Sequence, residues 1–380
     1  MNKPHGGKLI DKTVKKGKRP GIEKTDLVLQ VDEDTAKDIR NIALGLYSPL
    51  EGFMNKDDYL SVIEKMQLAN GVVWTIPIIL DVPESKTKKI KIGSEVRLEN
   101  SDMGLKAVLV VEDIYKHEPE KFSENVFGTT DRKHPGVALA YSREKTLLGG
   151  DIYLIEEGTN SFPEYNLPPA KTRKKFEEFG WKTIVGFQTR NPAHIAHEFI
   201  QKMALEFVDG LFVNPIIGKK KQGDFRDEII LDVYTQLVKN FYPKNSSFIS
   251  IFPSRMHYAG PREAVFHAII RKNFGCTHFL VGRDHAGVGD YYDKFAAHEI
   301  FEKIDDIGIE IMKVSAAFFC HRCKIFTTSK ICPHNEIYRV SPSGTEVREA
   351  IIEKDYNKLK NVMRDEVLDI IFSHEKPFVE

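Results

Sequence analysis

The chain has 380 residues, 41% of them apolar and 29% charged, the balance of an ordinary globular protein long enough for two or three structural units. Lys plus Arg and Asp plus Glu both number 55, so the formal net charge is zero, which argues against a protein that coats nucleic acid or an anionic membrane. No apolar run is long enough to span a bilayer, and the polar first residues lack the apolar centre of a signal peptide, so the expected location is the cytoplasm.

In chain order, Lys12, Lys15, Lys16, Lys18 and Arg19 form a basic stretch that reads as a solvated arm. Residues 1–168 read as a β-rich unit with one or two helices. Residues 72–82 are β-branched and apolar with Pro77 among them, which suits an edge or bulged strand. Residues 95–98, 105–114 and 151–156 are further predicted strands. Pro163, Pro168 and Pro169 then mark a linker across 161–170, since proline stiffens the chain and removes ladder donors.

From 169 to 315 the pattern alternates. Strands are expected at 183–187, 211–217, 247–252 and 278–281, and helices at 194–207, 226–240 and 261–273, the last with Pro261 in its first turn. Such alternation predicts an α/β fold with a parallel sheet covered by helices, binding ligands at the carboxyl ends of its strands. Residues 316–380 form a small C-terminal α/β region with the remaining cysteines of interest.

The densest chemical signal is Gln188-Thr189-Arg190-Asn191-Pro192-Ala193-His194-Ile195-Ala196-His197, which follows a strand and opens a helix. Asn191 and Pro192 are the expected N-cap and first residue of that helix, whose free amides favour an anion. His194 and His197, three apart, share one helical face. Gln188 and Arg190 offer a neutral amide and a forked cation, a pair suited to a tetrahedral oxyanion. An isolated His-x-x-His is more often bland or metal-binding; the strand–turn–helix setting and Arg190 favour the anion.

Gly282-Arg283-Asp284-His285-Ala286-Gly287-Val288-Gly289-Asp290 is a second such turn, with glycines that admit a close ligand and another arginine. Two further segments carry weaker signals. Asn214-Pro215-Ile216-Ile217-Gly218 with Lys221, Gly223 and Asp224 could bring a lysine to phosphate or form a solvated loop. Ser343-Gly344-Thr345-Glu346-Val347-Arg348 could face an anion or merely cap a helix. No Gly-x-x-x-x-Gly-Lys-Ser/Thr loop occurs, and no Gly-x-Ser-x-Gly elbow. Cys276 reads as a small core residue. Cys320, Cys323 and Cys332 with His334 make a Cys₃His set of structural zinc type, with His321 and Glu336 as alternative fourth ligands.

The runs 181–198 (WKTIVGFQTRNPAHIAHE) and 259–289 (AGPREAVFHAIIRKNFGCTHFLVGRDHAGVG) resemble the signatures of the ATP sulfurylase family. Shorter matches at Pro4-His5-Gly6-Gly7, Ser48-Pro49-Leu50, Phe127-Gly128-Thr129-Thr130-Asp131 and His134-Pro135-Gly136-Val137 extend the resemblance along nearly the whole chain. It implies an N-terminal domain resembling a PUA barrel, a Rossmann-like nucleotidyltransferase domain and a small C-terminal region with a zinc knuckle. By position it implies that Gln188, Arg190 and Ala286 hold sulfate. Thr189, Asn191, His194 and His197, with Gln188, would meet the ATP phosphates, and Gly282, Arg283, Asp284 and His285 would line the nucleotide pocket. His257 stands where many relatives have arginine, with Arg255 nearby, and the kinase-like domain appended in fused relatives is not expected.

The implied reaction joins ATP and sulfate to give adenosine 5′-phosphosulfate and pyrophosphate, reversibly, in one in-line displacement. Thr189, Arg190, Asn191, His194, His197 and Arg283 would be its catalytic residues. Mg²⁺ would accompany ATP, and structural Zn²⁺ would sit in the C-terminal region. A homodimer or higher homo-oligomer is expected, with neither nucleic acid nor membrane as partner. Two rivals stand beside this: another nucleotidyltransferase with a different acceptor, and an RNA-binding PUA-type protein.

Overall fold

The computed structural model describes residues 1–14, 25–341 and 344–379. Lys15, Lys16, Lys18 and Arg19 of the basic stretch, and Ser343, lie outside the described residues. Lys12 does not form part of a solvated arm: its ammonium pairs with Asp151 at 2.8 Å and with Glu51.

The first unit is built on a seven-stranded sheet of β1 (Val28–Gln30), β2 (Gly52–Phe53), β3 (Leu80–Val82), β4 (Glu95–Asn100), β5 (Leu105–Val110), β6 (Asp113–Lys116) and β7 (Thr146–Glu156). The order is β1-β4-β5-β7-β2, and β3 and β6 also pair with β7, so one long strand organises the sheet. Close packing at β2 demands glycine. A Cβ on Gly52 would come within 1.8 Å of the Gly150 carbonyl oxygen.

Three expectations for this unit fail for local reasons. Of residues 72–82 only Leu80–Val82 forms a strand, with Val73 in a lone bridge to Gln67; Pro77 between them has no N–H to donate, although Trp74, Ile76, Ile78 and Ile79 are buried all the same. The strand expected at 105–114 divides into β5 and β6. The unit also holds more helix than one or two: Glu33–Ala43, Lys56–Lys65, Pro119–Phe127 and Pro135–Ser142, besides two short helical turns. Asp32 and Asn55 cap the first two by accepting the Thr35 and Asp58 amides at 2.8 and 2.9 Å.

The second unit contains β8 (Ile184–Thr189), β9 (Gly210–Ile217), β10 (Ser247–Ile249), β11 (Phe252–Pro253), β12 (His278–Gly282) and β13 (Glu310–Val314). All are parallel, in the order β10-β9-β8-β12-β13, with β11 also on β9. The strand expected at 247–252 divides around Ser250, whose N–H still donates to the Val213 carbonyl of β9 while its own carbonyl accepts the buried Asn214 amide. Counted within this sheet, the path is third-second-first-fourth-fifth, the doubly wound nucleotide-binding order, and it reverses between β8 and β12. A crevice therefore opens where their carboxyl ends diverge.

The connecting helices include Ile195–Leu205, Asp227–Phe241 and Pro261–Phe274. The last has 11 of its 14 residues buried, because it is sandwiched between the parallel sheet and the first unit. One apolar cluster runs through both, from Leu29 and Trp74 to Phe266 and Phe279. A second core lies on the other face of the sheet, where Asp227–Phe241 meets the helices Gly344–Ile352 and Asp365–Ser373. A three-stranded antiparallel sheet, β15-β14-β16, from β14 (Ala317–Cys320), β15 (Ile325–Thr328) and β16 (Arg339–Val340), packs on helix Ile195–Leu205. Among the described residues no helix is long and apolar enough to cross a membrane.

Candidate functional site

At the end of β8 the chain leaves the core and turns. The Thr189 hydroxyl accepts the Asn191 N–H at 3.1 Å and donates to the Asn191 carbonyl at 3.0 Å. That closed turn keeps residues 190–193 out of helical geometry. The helix consequently starts at Ile195 with His194 as its N-cap, three residues later than the expected Asn191 and Pro192. His194 Nδ1 faces the His197 amide at 3.4 Å, and the two imidazoles stack with centroids 3.7 Å apart and planes 19° apart. The Phe187 ring meets His197 edge-on at 5.5 Å.

Burial pushes His194 down to about 4 and His197 well below the usual imidazole range, so both rings are neutral at pH 7. His197 Nδ1 is buried without a hydrogen-bond partner, as is one terminal nitrogen of Arg190. The Arg190 guanidinium lies 5.6 Å from the centre of the Tyr258 ring, and no carboxylate among the described residues pairs with it. A half-buried cation with an unsatisfied buried donor is a ready partner for an anion.

Opposite stands the turn after β12. Asp284 and Ala286 both adopt left-handed backbone, with φ of 59° and 58°. The turn is pinned by the Asp284 amide donating to the Lys294 carbonyl at 2.9 Å, and by Gly260 donating to the Ala286 carbonyl at 3.1 Å. The Asp284 carboxyl folds over Gly287, where a Cβ would sit 2.1 Å from its oxygen, and burial raises its pKa. Arg283 is exposed at the rim.

These two turns face one cleft of about 430 Å³. It brings together every residue singled out for sulfate or ATP: Gln188, Thr189, Arg190, Asn191, His194, His197, Gly282, Arg283, Asp284, His285 and Ala286. The sequence reading missed Met256 and the wall formed by Ser315, Ala316 and Ala317. The latter follow β13, another parallel strand, so their place at a carboxyl end beside small side chains was an available signal. Other candidates lie elsewhere. Lys221 lines a separate cavity of about 310 Å³ with Lys219 and Lys220, adjoining the cleft only at Met256. Asn214 is wholly buried in β9. Arg348 donates to its own helix at the Gly344 carbonyl, 3.0 Å away. Arg255 pairs with Asp34 of the first unit at 3.3 Å, while buried His257 is pushed down to about 3, so neither restores a free cation at position 257.

The C-terminal cluster is a second polar assembly. The ligand atoms of Cys320, Cys323, Cys332 and His334 all lie within 4.8 Å of one another. Cys323 and Cys332 sulfurs are 3.8 Å apart, and His334 Nδ1 lies 3.5, 3.1 and 3.7 Å from the sulfurs of Cys320, Cys323 and Cys332. Metal–sulfur bonds of about 2.3 Å at tetrahedral angles place sulfurs about 3.8 Å apart, so these residues fit one four-coordinate ion. His321 instead packs its ring on Phe319, and Glu336 pairs with Arg339 at 3.3 Å, which leaves His334 as the fourth donor.

A doubly wound sheet with cationic and imidazole groups at its switch point defines a nucleotide-binding α/β protein. Comparison narrows that class: residues 163–374 match the ATP-sulfurylase family model and residues 2–157 the model of a PUA-like domain. The chain belongs to the ATP-sulfurylase family. It is 47% identical over 383 residues to the sulfate adenylyltransferase of Thermococcus onnurineus, and 48% identical over 382 residues to that of Ignicoccus hospitalis, each alignment covering 100% of both chains. Among solved structures, the hexameric APS kinase from Thiobacillus denitrificans aligns with a TM-score of 0.75 over 99% of this chain and 69% of that one, at 22% identity, a likeness of fold.

Proposed function

We propose that the cleft between β8 and β12 joins sulfate to the α-phosphate of ATP, releasing pyrophosphate and adenosine 5′-phosphosulfate, as a reversible sulfate adenylyltransferase. The observation that carries this reading is the convergence of two arginine-bearing turns, from strands far apart in sequence, on one cleft at the switch point. Sulfate is already a dianion, so its attack needs no general base. The task is to overcome repulsion between anions, align the attacking oxygen and stabilise the leaving group. A sulfate oxygen forms a bond to the α-phosphorus while the bond from that phosphorus to the bridging oxygen breaks, and pyrophosphate departs with the electron pair.

In this reading Arg190, Gln188 and the Ala286 segment hold sulfate. The buried Arg190 donor without a partner supports its place. Thr189, Asn191, His194, His197 and Arg283 meet the phosphates, while Gly282, Asp284 and His285 face the nucleoside. The two neutral imidazoles offer hydrogen bonds at little desolvation cost when an anion arrives. Mg²⁺ enters with ATP as part of the substrate. Cys320, Cys323, Cys332 and His334 would hold Zn²⁺, which when bound supplies a closed structural crosslink rather than a reactive site. We take the unit borders as 168 and 315, the location as cytoplasmic and the assembly as a homo-oligomer; exposed Ile325, Ile331 and Ile337 on the metal-bearing region support self-association.

The test is pyrophosphate release from ATP with and without sulfate, at matched Mg²⁺ and with inorganic pyrophosphatase to draw the reaction forward. Release that depends on sulfate or molybdate is expected. Release, or its absence, that ignores both anions would point to a different acceptor.

A further inference from the structure

Beneath the cleft runs a buried chain of three side chains. Glu263 and His267 stand one turn apart on helix Pro261–Phe274, and both are 0% exposed. Glu263 accepts the His257 amide at 2.8 Å on one oxygen and the Ala259 amide at 3.1 Å on the other. Backbone N–H groups donated to both oxygens favour the charged form of this side chain. The oxygen shared with His257 lies 3.4 Å from His267 Nε2. That contact is too long for a hydrogen bond, and Nε2 is buried with no hydrogen-bond partner among the described residues, so the tautomer is set by charge alone. A lone pair on Nε2 would face the carboxylate's negative charge, so Nε2 carries the hydrogen.

Burial, helped by the Arg271 guanidinium, holds His267 far below the usual imidazole pKa, and burial does the same for His285. Each ring therefore has a single hydrogen. His267 Nδ1 is then bare and can only accept, and it lies 3.0 Å from His285 Nε2, which must donate. The hydrogen of His285 is thereby committed to its inner nitrogen. His285 lines the cleft, and its Nδ1 makes no hydrogen bond to the protein among the described residues.

We propose that the Glu263–His267 pair sets the tautomer of His285 and so presents His285 Nδ1 to the cleft as a hydrogen-bond acceptor, which selects a nucleotide donating an N–H or O–H at that point. This rests on the cleft being the ATP site. In ATP the donor is either the exocyclic amine of the base or a ribose hydroxyl. Glu263 and His267 are positioning residues, whereas His285 touches the substrate. Replacing a satisfied pair by an unpaired buried acceptor weakens binding without altering the reacting atoms, so the effect falls on KM rather than kcat.

Two measurements test this. Imidazole ¹⁵N NMR on the full-length protein should find His285 and His267 protonated at Nε2 and bare at Nδ1, and His267→Phe should leave His285 without a single fixed tautomer. A hydrogen on His285 Nδ1, or an unchanged His285 in that variant, overturns the proposal. In the second, KM is compared for ATP, 2′-deoxy-ATP, 3′-deoxy-ATP and inosine triphosphate. One analogue should show KM raised about tenfold, as loss of one buried hydrogen bond implies, and its identity separates amine from hydroxyl. His285→Ala should raise KM for ATP by the same factor and leave that analogue's KM unmoved. Four equal KM values, or a variant that raises all four alike, overturns it. Should wild-type protein show no sulfate-dependent turnover of ATP while the NMR tautomers stand as expected, the ATP reading fails and the hydrogen-bond chain survives.

Discussion

The cleft and the Cys₃His cluster both gather polar atoms suited to a ligand, but they are assembled in opposite ways. The cluster draws four donor atoms from residues 320–334, on one hairpin and the loop that follows, and turns them toward one point. The cleft draws its groups from β8 and β12, whose carboxyl ends belong to segments roughly ninety residues apart, and turns them outward into open space. A site closed on itself suits a resident ion. An open one, with Arg190 and His197 unsatisfied, suits ligands that come and go. Function should therefore be lost from the cleft and stability from the cluster, with little crossing over.

Arg190→Ala offers the sharpest test of that division. It should reduce sulfate-dependent pyrophosphate release by about 10²–10³ or more, the scale for losing one charge contact to a transition state, while the melting temperature stays within about 2 °C. Near-normal turnover in the variant would break the site assignment. Cys323→Ser reverses the pattern. Metal analysis should find about one zinc per chain in the parent and little in the variant, with a melting temperature lower by roughly 5 °C or more. Protein purified without chelator and found to contain no zinc would remove the ion from this account.

The smallest effect concerns protonation. His194 titrates near 6.5 in the unfolded chain but at about 4 when folded, because burial disfavours its charge. Between those values the unfolded state binds the extra proton, so this residue makes stability fall as pH drops from 6.5 toward 4 and has no influence above that window. His194→Gln should flatten the pH dependence of urea unfolding by at most about 1 kcal/mol per pH unit. Every group outside the cleft is common to both proteins, so the difference between them reads the cleft alone. Parallel pH profiles would show that His194 is not desolvated in the folded chain.

The cleft was largely legible in the sequence because its residues are contiguous and follow apolar strands directly. Gln188 to His197 and Gly282 to Gly287 announce themselves as strand-to-turn segments whatever the distant chain does. The cluster was legible for the same reason, except that only distance could choose His334 over His321 and Glu336. What stayed hidden depends on partners far along the chain. Nothing local says that Glu263 and His267 point from their helix toward residue 285, or that Tyr258 lies beside Arg190. The helix expected at 194–207 stands where the pattern puts it, but its cap is His194 rather than Asn191 because a threonine hydroxyl, not propensity, controls the turn before it. In the first unit, helix Glu33–Ala43 did leave a signal, with Asp32 as cap and Ala36, Ile39, Ile42 and Ala43 along one face.

The shared apolar cluster has a consequence of its own. Helix Pro261–Phe274 is covered on one side by the parallel sheet and on the other by the first unit, whose Tyr47 and Trp74 rings lie 5.5 and 5.6 Å from Phe266. Neither unit can lose the other without baring a wide greasy surface to water. On heating, the two should come apart together in a single cooperative endotherm, and the central unit excised by itself would be prone to clump. A boundary visible in the order of strands is thus not a seam along which the molecule can be divided.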